Sequence, residues 1–333
     1  MAEVLLEMQH VTKEFVTATS SWSKKNAPVV HAITDVDLKV EKGETLGIVG
    51  ESGCGKSTLG RLMINLLVPT SGHVIFEGKD LQSLSIDEMR KTRQRMQMVF
   101  QDPFASLNPR MKIRDLIAEP MVTHNYGTSD EITARVEELL RLTGIRPEFM
   151  YRYPHQFSGG QRQRVSIARA LALNPELVIC DEPVSALDVS IQSQILNLLG
   201  DLQEKMDLTY VFISHDLTVV RYLSDRVCVM YLGKVCEIGV TRDIYSNPLH
   251  PYTKFLLEAI PVPDPEYRKK DKDMLSGEIP SPVNPPSGCY FRTRCPYATE
   301  RCAQEVPTLK DVGDGRLVAC HLVEGTEVVQ DEA

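Results

Sequence analysis

With 333 residues, 42% of them hydrophobic and 25% charged, the chain has a globular balance and enough apolar content for one large domain with additions, or two. A net charge of −8 and a pI near 5.6 argue against a general nucleic-acid binder. The acidic start, Met1 to Met8, lacks the basic region and cleavage site of a signal peptide, and no apolar run approaches the roughly 18 residues of a membrane span. A soluble chain is expected, with any membrane role supplied by other subunits.

Residues 4–16 and 34–40 read as strands of loosely alternating polarity, joined across the polar stretch Ala18 to Pro28, a predicted long hairpin loop. Phe15 closes the first strand; its spacing suits a core aromatic better than a platform on which a base stacks. Glu44 to Gly50 is a short apolar run suited to a buried strand. It feeds Gly50-Glu51-Ser52-Gly53-Cys54-Gly55-Lys56-Ser57, which fills every fixed position of the phosphate-binding pattern G-x-x-x-x-G-K-[ST]. Thr58 to Leu67 continues with apolar residues at helical spacing. In that strand–loop–helix context the glycines permit a tight turn, backbone N–H groups converge on phosphate oxygens, and the helix N-terminus favours an anion. Lys56 would reach the β- and γ-phosphates and Ser57 would ligand Mg²⁺. An ordinary glycine-rich turn explains this run less well than a nucleoside triphosphate site does.

A turn at Pro69 to Gly72 leads to a strand over His73 to Gly78, then a basic helix over 86–95 and a strand over Met96 to Phe100. Gln101 follows, by itself no more than a loop residue. From about 104 to 165 the pattern is helical, including 129–144 and the segment after Ser158, and forms an insertion within an α/β core. Leu177 to Asp181 is an apolar strand ending in the paired carboxylates Asp181 and Glu182. An open α/β sheet places ligand chemistry at such strand ends. Downstream of a phosphate loop, Asp181 suits the Mg²⁺ shell and Glu182 suits the group that orients attacking water. Tyr210 to Ser214, a second buried strand, delivers His215 to the same sheet edge, as a γ-phosphate contact or merely a strand-end histidine.

Ser158-Gly159-Gly160-Gln161 precedes a long amphipathic helix. Ser158 suits an N-cap and the glycines leave N–H groups exposed, which builds a second anion site. One chain has no obvious use for two such sites. A dimer has, if each subunit closes its second site on the nucleotide held by the other.

With these residues in place the chain resembles the ATP-binding-cassette (ABC) ATPases over roughly residues 4–245. Gln101 matches the family's Q-loop and Ser158 to Gln161 its signature motif. Leu177 to Asp181 matches Walker B, with Glu182 as catalytic carboxylate. Ser185 to Asp188 matches the D-loop and His215 the switch histidine. The resemblance moves Phe15 toward adenine stacking. It implies a RecA-like P-loop core with an antiparallel β subdomain and a helical insertion, Mg²⁺-ATP as ligand, and Ser52, Gly53, Cys54, Gly55 and Thr58 among the nucleotide contacts. Two ATP molecules would lie in a head-to-tail dimer, each between one P-loop and the opposite signature motif.

Asn247 to Thr253, Leu256 to Pro261 and Leu275 to Cys289, with Phe104 to Pro109 inside the cassette, resemble ATPase subunits of dipeptide and oligopeptide importers, of the DppF/OppF type. Nickel and glycoside importers share much of this tail, so they remain alternatives, as does a non-transport ABC ATPase. One cassette without a heptad run disfavours the last. The expected organisation is a nucleotide-binding domain over 4–255 and an extension over 256–333. The resemblance implies as partners a paralogous ATPase, two permeases and an extracytoplasmic peptide-binding protein, and a position at the cytoplasmic face of the inner membrane.

Residues 261–288 hold seven prolines, which predicts an extended, irregular segment. Cys289-x₅-Cys295-x₆-Cys302-x₁₇-Cys320 follows, in a stretch with little core of its own, where a metal centre is a natural staple. Without a secretory signal, thiols or metal ligands are favoured over disulfides. Spacing alone leaves Zn²⁺, an iron–sulfur cluster and four free thiols open, with His321 a substitute ligand for either metal. The resemblance to peptide-importer ATPases implies a [4Fe–4S] cluster on the four cysteines.

Overall fold

The computed structural model describes residues 3–16, 27–260 and 278–323. The expected loop from Ala18 falls almost wholly outside the described residues, as does 261–277, the first part of the proline-rich segment. In chain order come strands β1 (Val4–Val16), β2 (Val29–Glu41) and β3 (Thr45–Val49), helix α1 (Lys56–Met63), β4 (Ser71–Phe76), β5 (Lys79–Asp80), α2 (Ile86–Arg95) and β6 (Met96–Val99). The helical stretch follows with α3 (Pro103–Ser106), α4 (Ile113–Thr123), α5 (Ser129–Leu142) and α6 (Gly159–Ala170). Then β7 (Leu177–Asp181), α7 (Val189–Met206), β8 (Thr209–Ile213) and α8 (Leu217–Leu223) lead to β9 (Arg226–Tyr231) and β10 (Lys234–Val240). Beyond these lie α9 (Thr241–Ser246), α10 (Pro251–Glu258), α11 (Glu300–Gln304), β11 (Lys310–Asp311) and β12 (Leu317–Val318).

The chain forms two compact units. One holds the residues up to Leu5, Val40–Thr45 and Phe76–Ser214; the other holds Leu6–Lys39, Leu46–Ile75 and the residues from His215 on. In the first, β6, β7 and β8 run parallel, with Met96 opposite Leu177 and Leu177 opposite Thr209. Every residue of β7 and β8 is buried, the mark of parallel strands covered on both faces. The helices around them are set by local chemistry. Ser85 with Glu88, Thr128 with Glu131, and Ser158 with Gln161 each form a capping box, so α2, α5 and α6 begin where side chains take up orphan N–H groups.

In the second unit β1 lies between β2 and β4, and β3 pairs parallel with β9. The strand expected from residue 34 starts at Val29. The strand expected to reach Gly78 stops at Phe76, because Glu77 (φ 47°) and Gly78 (φ 73°) turn the chain with left-handed backbone. β9 and β10 form an antiparallel pair with a bulge between Val235 and Glu237. The C-terminal segment continues this sheet: β12 pairs with β10 in the register Glu237 opposite Val318, and β11 adds to its far side. Glu237, fully buried in mid-strand, accepts N–H bonds from Leu249 and His250 and a charged bond from Arg316 at 3.0 Å. Between residues 278 and 299 the segment is irregular, as the prolines predict.

Candidate functional site

The phosphate loop begins where the fully buried β3 ends. Gly50 takes φ 151°, and a Cβ there would sit 2.2 Å from the Met230 carbonyl oxygen. Gly55 takes φ 105°, where a Cβ would meet the Ala32 carbonyl oxygen at 2.5 Å. Only glycine satisfies both the backbone angle and the space. Lys56, 5% exposed, curls over the loop and donates from Nζ to the carbonyls of Gly50 (2.7 Å) and Glu51 (3.0 Å). Its ammonium is thus held against the loop's own carbonyls. Ser52 and Gly53 are exposed, while Ser57 and Thr58 are half-buried in the first turn of α1. Cys54 is buried, and that burial pushes its thiol up despite Lys56 nearby, so it is an inert wall residue. His215, in the same unit, is exposed just before α8, whose N-terminus Asp216 caps by accepting from Thr218 N at 2.8 Å.

Phe15 is not a core residue. It lies 37% exposed near the end of β1, with Lys13 Nζ 5.2 Å from the ring centroid. Spacing favoured the core because β1 alternates, but β1 runs past its covered region and exposes its last two residues.

In the other unit, strand register assembles a polar pair. Val99 of β6 lies opposite Cys180 of β7, so Gln101 and Glu182 each stand two residues beyond the same rung. Gln101 Nε2 donates to Glu182 Oε2 at 2.8 Å. Asp181 is buried (2% exposed) at the end of β7. Glu182 then takes φ 46°, an uncommon conformation for a side-chain-bearing residue, and its N–H donates to Ile213 of β8 at 3.0 Å. That kink turns the Glu182 carboxylate out beside Gln101 while Asp181 stays inside.

Ser158 caps α6 through Gln161 N, and Gln161 Oε1 returns the bond to Ser158 N at 3.1 Å. A Cβ on Gly160 would lie 2.5 Å from Ile191 Cγ2, and one on Gly159 3.4 Å from Leu187 Cδ2. The two glycines therefore let the start of α6 abut the start of α7. Asp188 caps α7, accepting from Ser190 Oγ (2.7 Å) and Ile191 N (3.0 Å), bonds that hold its carboxyl below the usual range. The Ser158 to Gln161 turn and the Ser185 to Asp188 turn are thus one surface.

Cys289, Cys295, Cys302 and Cys320 share one neighbourhood. Cys289 N–H donates to the Cys302 carbonyl at 2.8 Å, and Thr299 Oγ1 lies 3.4 Å from Cys302 Sγ. Burial, and then repulsion from Cys302, Cys320 and Cys295, push the Cys289 thiol up to about 11. Cys295 and Cys320 are raised by burial too, with smaller contributions from other thiols. Among the described residues no three of these sulfurs lie mutually within 4.8 Å. His321 Nε2 lies 3.1 Å from the Glu305 carbonyl oxygen, which occupies that ring nitrogen.

Two residues outside the nucleotide-binding motifs also reach the phosphate loop. Tyr252 and Arg294, from α10 and from the cysteine-bearing segment, both bind Glu51. No local pattern announces them, since each contact spans more than 200 residues.

The β3–loop–α1 unit, the strand-end carboxylates and the capped second loop together define a P-loop ATPase of the ATP-binding-cassette class. The structure resembles a dimeric, post-hydrolysis state of the ATP-binding cassette MJ0796 bound to ADP and Pi, at TM-score 0.63 and 31% identity over 72% of this chain and 99% of that one. Residues 33–185 match the ABC transporter family, and residues 236–302 match the C-terminal region of oligopeptide/dipeptide transporters. The chain is 55% identical to the oligopeptide transport ATP-binding protein AppF of Bacillus subtilis, over 96% of its own length and 98% of that protein's. It is 52% identical to OppF of Salmonella typhimurium over 92% of its own length and 93% of that protein's. The chain belongs to the ATP-binding subunits of ABC-type oligopeptide transporters, and its activity is that of an ABC ATPase.

Proposed function

We propose that this chain powers import of di- and oligopeptides by closing on ATP against a paralogous ATPase subunit, beneath two permeases fed by an extracytoplasmic binding protein. Among the described residues no helix is long and apolar enough to cross a membrane. On this reading the chain attaches through the permeases at the cytoplasmic face of the inner membrane. The nucleotide-binding domain is 4–255 and the importer-type extension 256–333.

In each turnover the N–H groups from Gly50 to Thr58 cradle the phosphates and Lys56 neutralises the β- and γ-oxygens. Ser57, Asp181 and Gln101 would hold Mg²⁺, which would neutralise charge on the β- and γ-phosphate oxygens. Phe15 stacks on adenine. Glu182 orients the attacking water, which requires release of its bond to Gln101. His215 contacts the γ-phosphate. Ser158, Gly159, Gly160 and Gln161, with Asp188 beside them, close on the nucleotide held by the partner. The Gln101–Glu182 pair at 2.8 Å is the observation that carries this reading, because it joins the expected water-orienting carboxylate to the residue expected to sense Mg²⁺-ATP.

The four cysteines would hold a [4Fe–4S] cluster, a larger centre than a single Zn²⁺. Zinc needs sulfurs about 2.3 Å from one ion, and no three of these sulfurs lie mutually within 4.8 Å among the described residues; the cluster reading rests on the likeness to importer ATPases, whose four cysteines it matches. Burial raises the proton affinity of Cys289, Cys295 and Cys320, and a cationic centre would let these thiols ionise. Such a cluster would fix the segment that carries it.

A tagged Glu182→Gln variant, extracted gently from membranes with ATP present, should retain its partners. Two permeases and a second, similar ATPase are the expected companions. Recovery with ribosomes, DNA or no membrane protein would overturn the transport reading and leave the ATPase chemistry standing.

A further inference from the structure

Glu51 is one of the phosphate-loop positions that the motif leaves free, yet it is held from three directions. Its N–H donates to Tyr252 Oη at 2.9 Å, and its carbonyl accepts from Lys56 Nζ at 3.0 Å. Its carboxylate accepts two parallel bonds from Arg294, Nη1 to Oε2 at 2.7 Å and Nη2 to Oε1 at 3.0 Å. Two of these three holders come from beyond residue 250, outside the strand–loop–helix that defines the site. Arg294 itself lies between Cys289 and Cys295.

The seat of Arg294 is dry. Its side chain is 5% exposed against 22% for Glu51. Nη1 is 3.4 Å from Tyr231 Oη, and Nε has no hydrogen-bond partner among the described residues. Phe291, 2% exposed, packs edge-on against Tyr231 with centroids 5.3 Å apart, and lies 5.3 Å from Tyr252. The cysteine-bearing segment is therefore anchored by a buried aromatic cluster at the place where its arginine meets the loop.

An exposed ion pair would add little, but here the guanidinium is nearly sealed from water and the carboxylate partly so, and losing Glu51 would strand a buried cation. The planar guanidinium engages both carboxylate oxygens, so it fixes the rotation of Glu51 as well as its position. Glu51 sits between Gly50 and Ser52, whose backbone must face the phosphates, and its carbonyl shares the Lys56 ammonium. A tilt of this one residue moves both the amide cradle and the lysine.

We propose that Arg294 is a positioning residue of the ATP site: through Glu51 it holds the phosphate loop in its nucleotide-ready shape and makes ATP affinity depend on the cysteine-bearing segment. The proposal rests on the ATP-site reading above. It adds that the C-terminal extension takes part in nucleotide binding.

The test is a titration of the purified full-length chain with a fluorescent ATP analogue and Mg²⁺, with thermal melting alongside. Arg294→Ala should raise Kd about tenfold, and Glu51→Gln should raise it less. The double variant should bind no worse than Arg294→Ala alone, because the two changes break one interaction. Cys295→Ser, which touches neither charge, should weaken binding in the wild-type background and add little to Arg294→Ala. Should Arg294→Ala fail to fold, Arg294→Lys keeps a cation in the seat and loses the second bond, and a Kd raised by about threefold is expected. A folded Arg294→Ala or Arg294→Lys chain that binds within about twofold of wild type, or additive single effects, would overturn the proposal. Failure of the wild-type chain to bind would instead overturn the ATP-site assignment itself.

Discussion

The phosphate loop and the cysteine-bearing segment are both irregular stretches that present ligand atoms, and they are built in opposite ways. Gly50 to Ser57 is one continuous run whose shape is fixed by φ angles of 151°, 79° and 105° at Gly50, Gly53 and Gly55. Its donors are in place before a ligand arrives. The four cysteines are gathered from a much longer stretch by contacts remote in sequence: Cys289 N–H to the Cys302 carbonyl at 2.8 Å, and Ala319 N–H to the Cys236 carbonyl at 2.9 Å. Burial makes the thiols of Cys289, Cys295 and Cys320 resist ionisation. Backbone geometry preorganises the first site, whereas the second, on the proposed cluster reading, would be completed by the metal centre it holds.

The largest effects should separate these two designs. Lys56→Ala removes the ammonium from a cradle that otherwise stays folded, so ATP turnover should fall by more than about 10²-fold with little change in melting temperature. Measuring both on one sample checks this; a large loss of thermal stability would show that the loop is not preorganised. The cysteine segment should behave in reverse. Chain purified without oxygen should carry iron and acid-labile sulfide, and Cys302→Ser should lose both, with roughly 3 kcal/mol of stability. An iron-loaded wild-type sample that melts with the same midpoint as Cys302→Ser would break the comparison.

A pH-dependent effect, felt only in acid, lies where the two regions meet. His250 is buried, caps α10 by accepting from Tyr252 N at Nδ1 (3.0 Å), and is pushed down to about 4 by that burial. Its folded form is neutral, so the stabilisation is fully present above the ordinary histidine value near 6.5 and is lost as pH falls toward 4. The loss should reach roughly 3 kcal/mol, read as a falling urea midpoint between these pH values. His250→Asn keeps an acceptor at the cap without a titrating group and should flatten that slope. An unchanged slope would move the titration elsewhere.

Where the chemistry is local the sequence was readable. The buried runs β3, β7 and β8, the capped helices α2, α5 and α6, and the glycines of the phosphate loop all follow from spacing over a few residues. So does the order of Gln101, Ser158, Asp181, Glu182 and His215. Phe15 was read less well, since alternation along β1 does not say where its cover ends. Four facts required the folded chain. The β6–β7 register brings Gln101 to Glu182, and two glycines seat the start of α6 against α7. Pairing of β12 with β10 makes the tail part of a core sheet. Arg294 and Tyr252 clamp Glu51 across more than 200 residues. A sequence displays the conformational preference of each short segment, but which remote side chain fills a buried seat depends on packing and charge pairing that exist only once the chain has closed on itself.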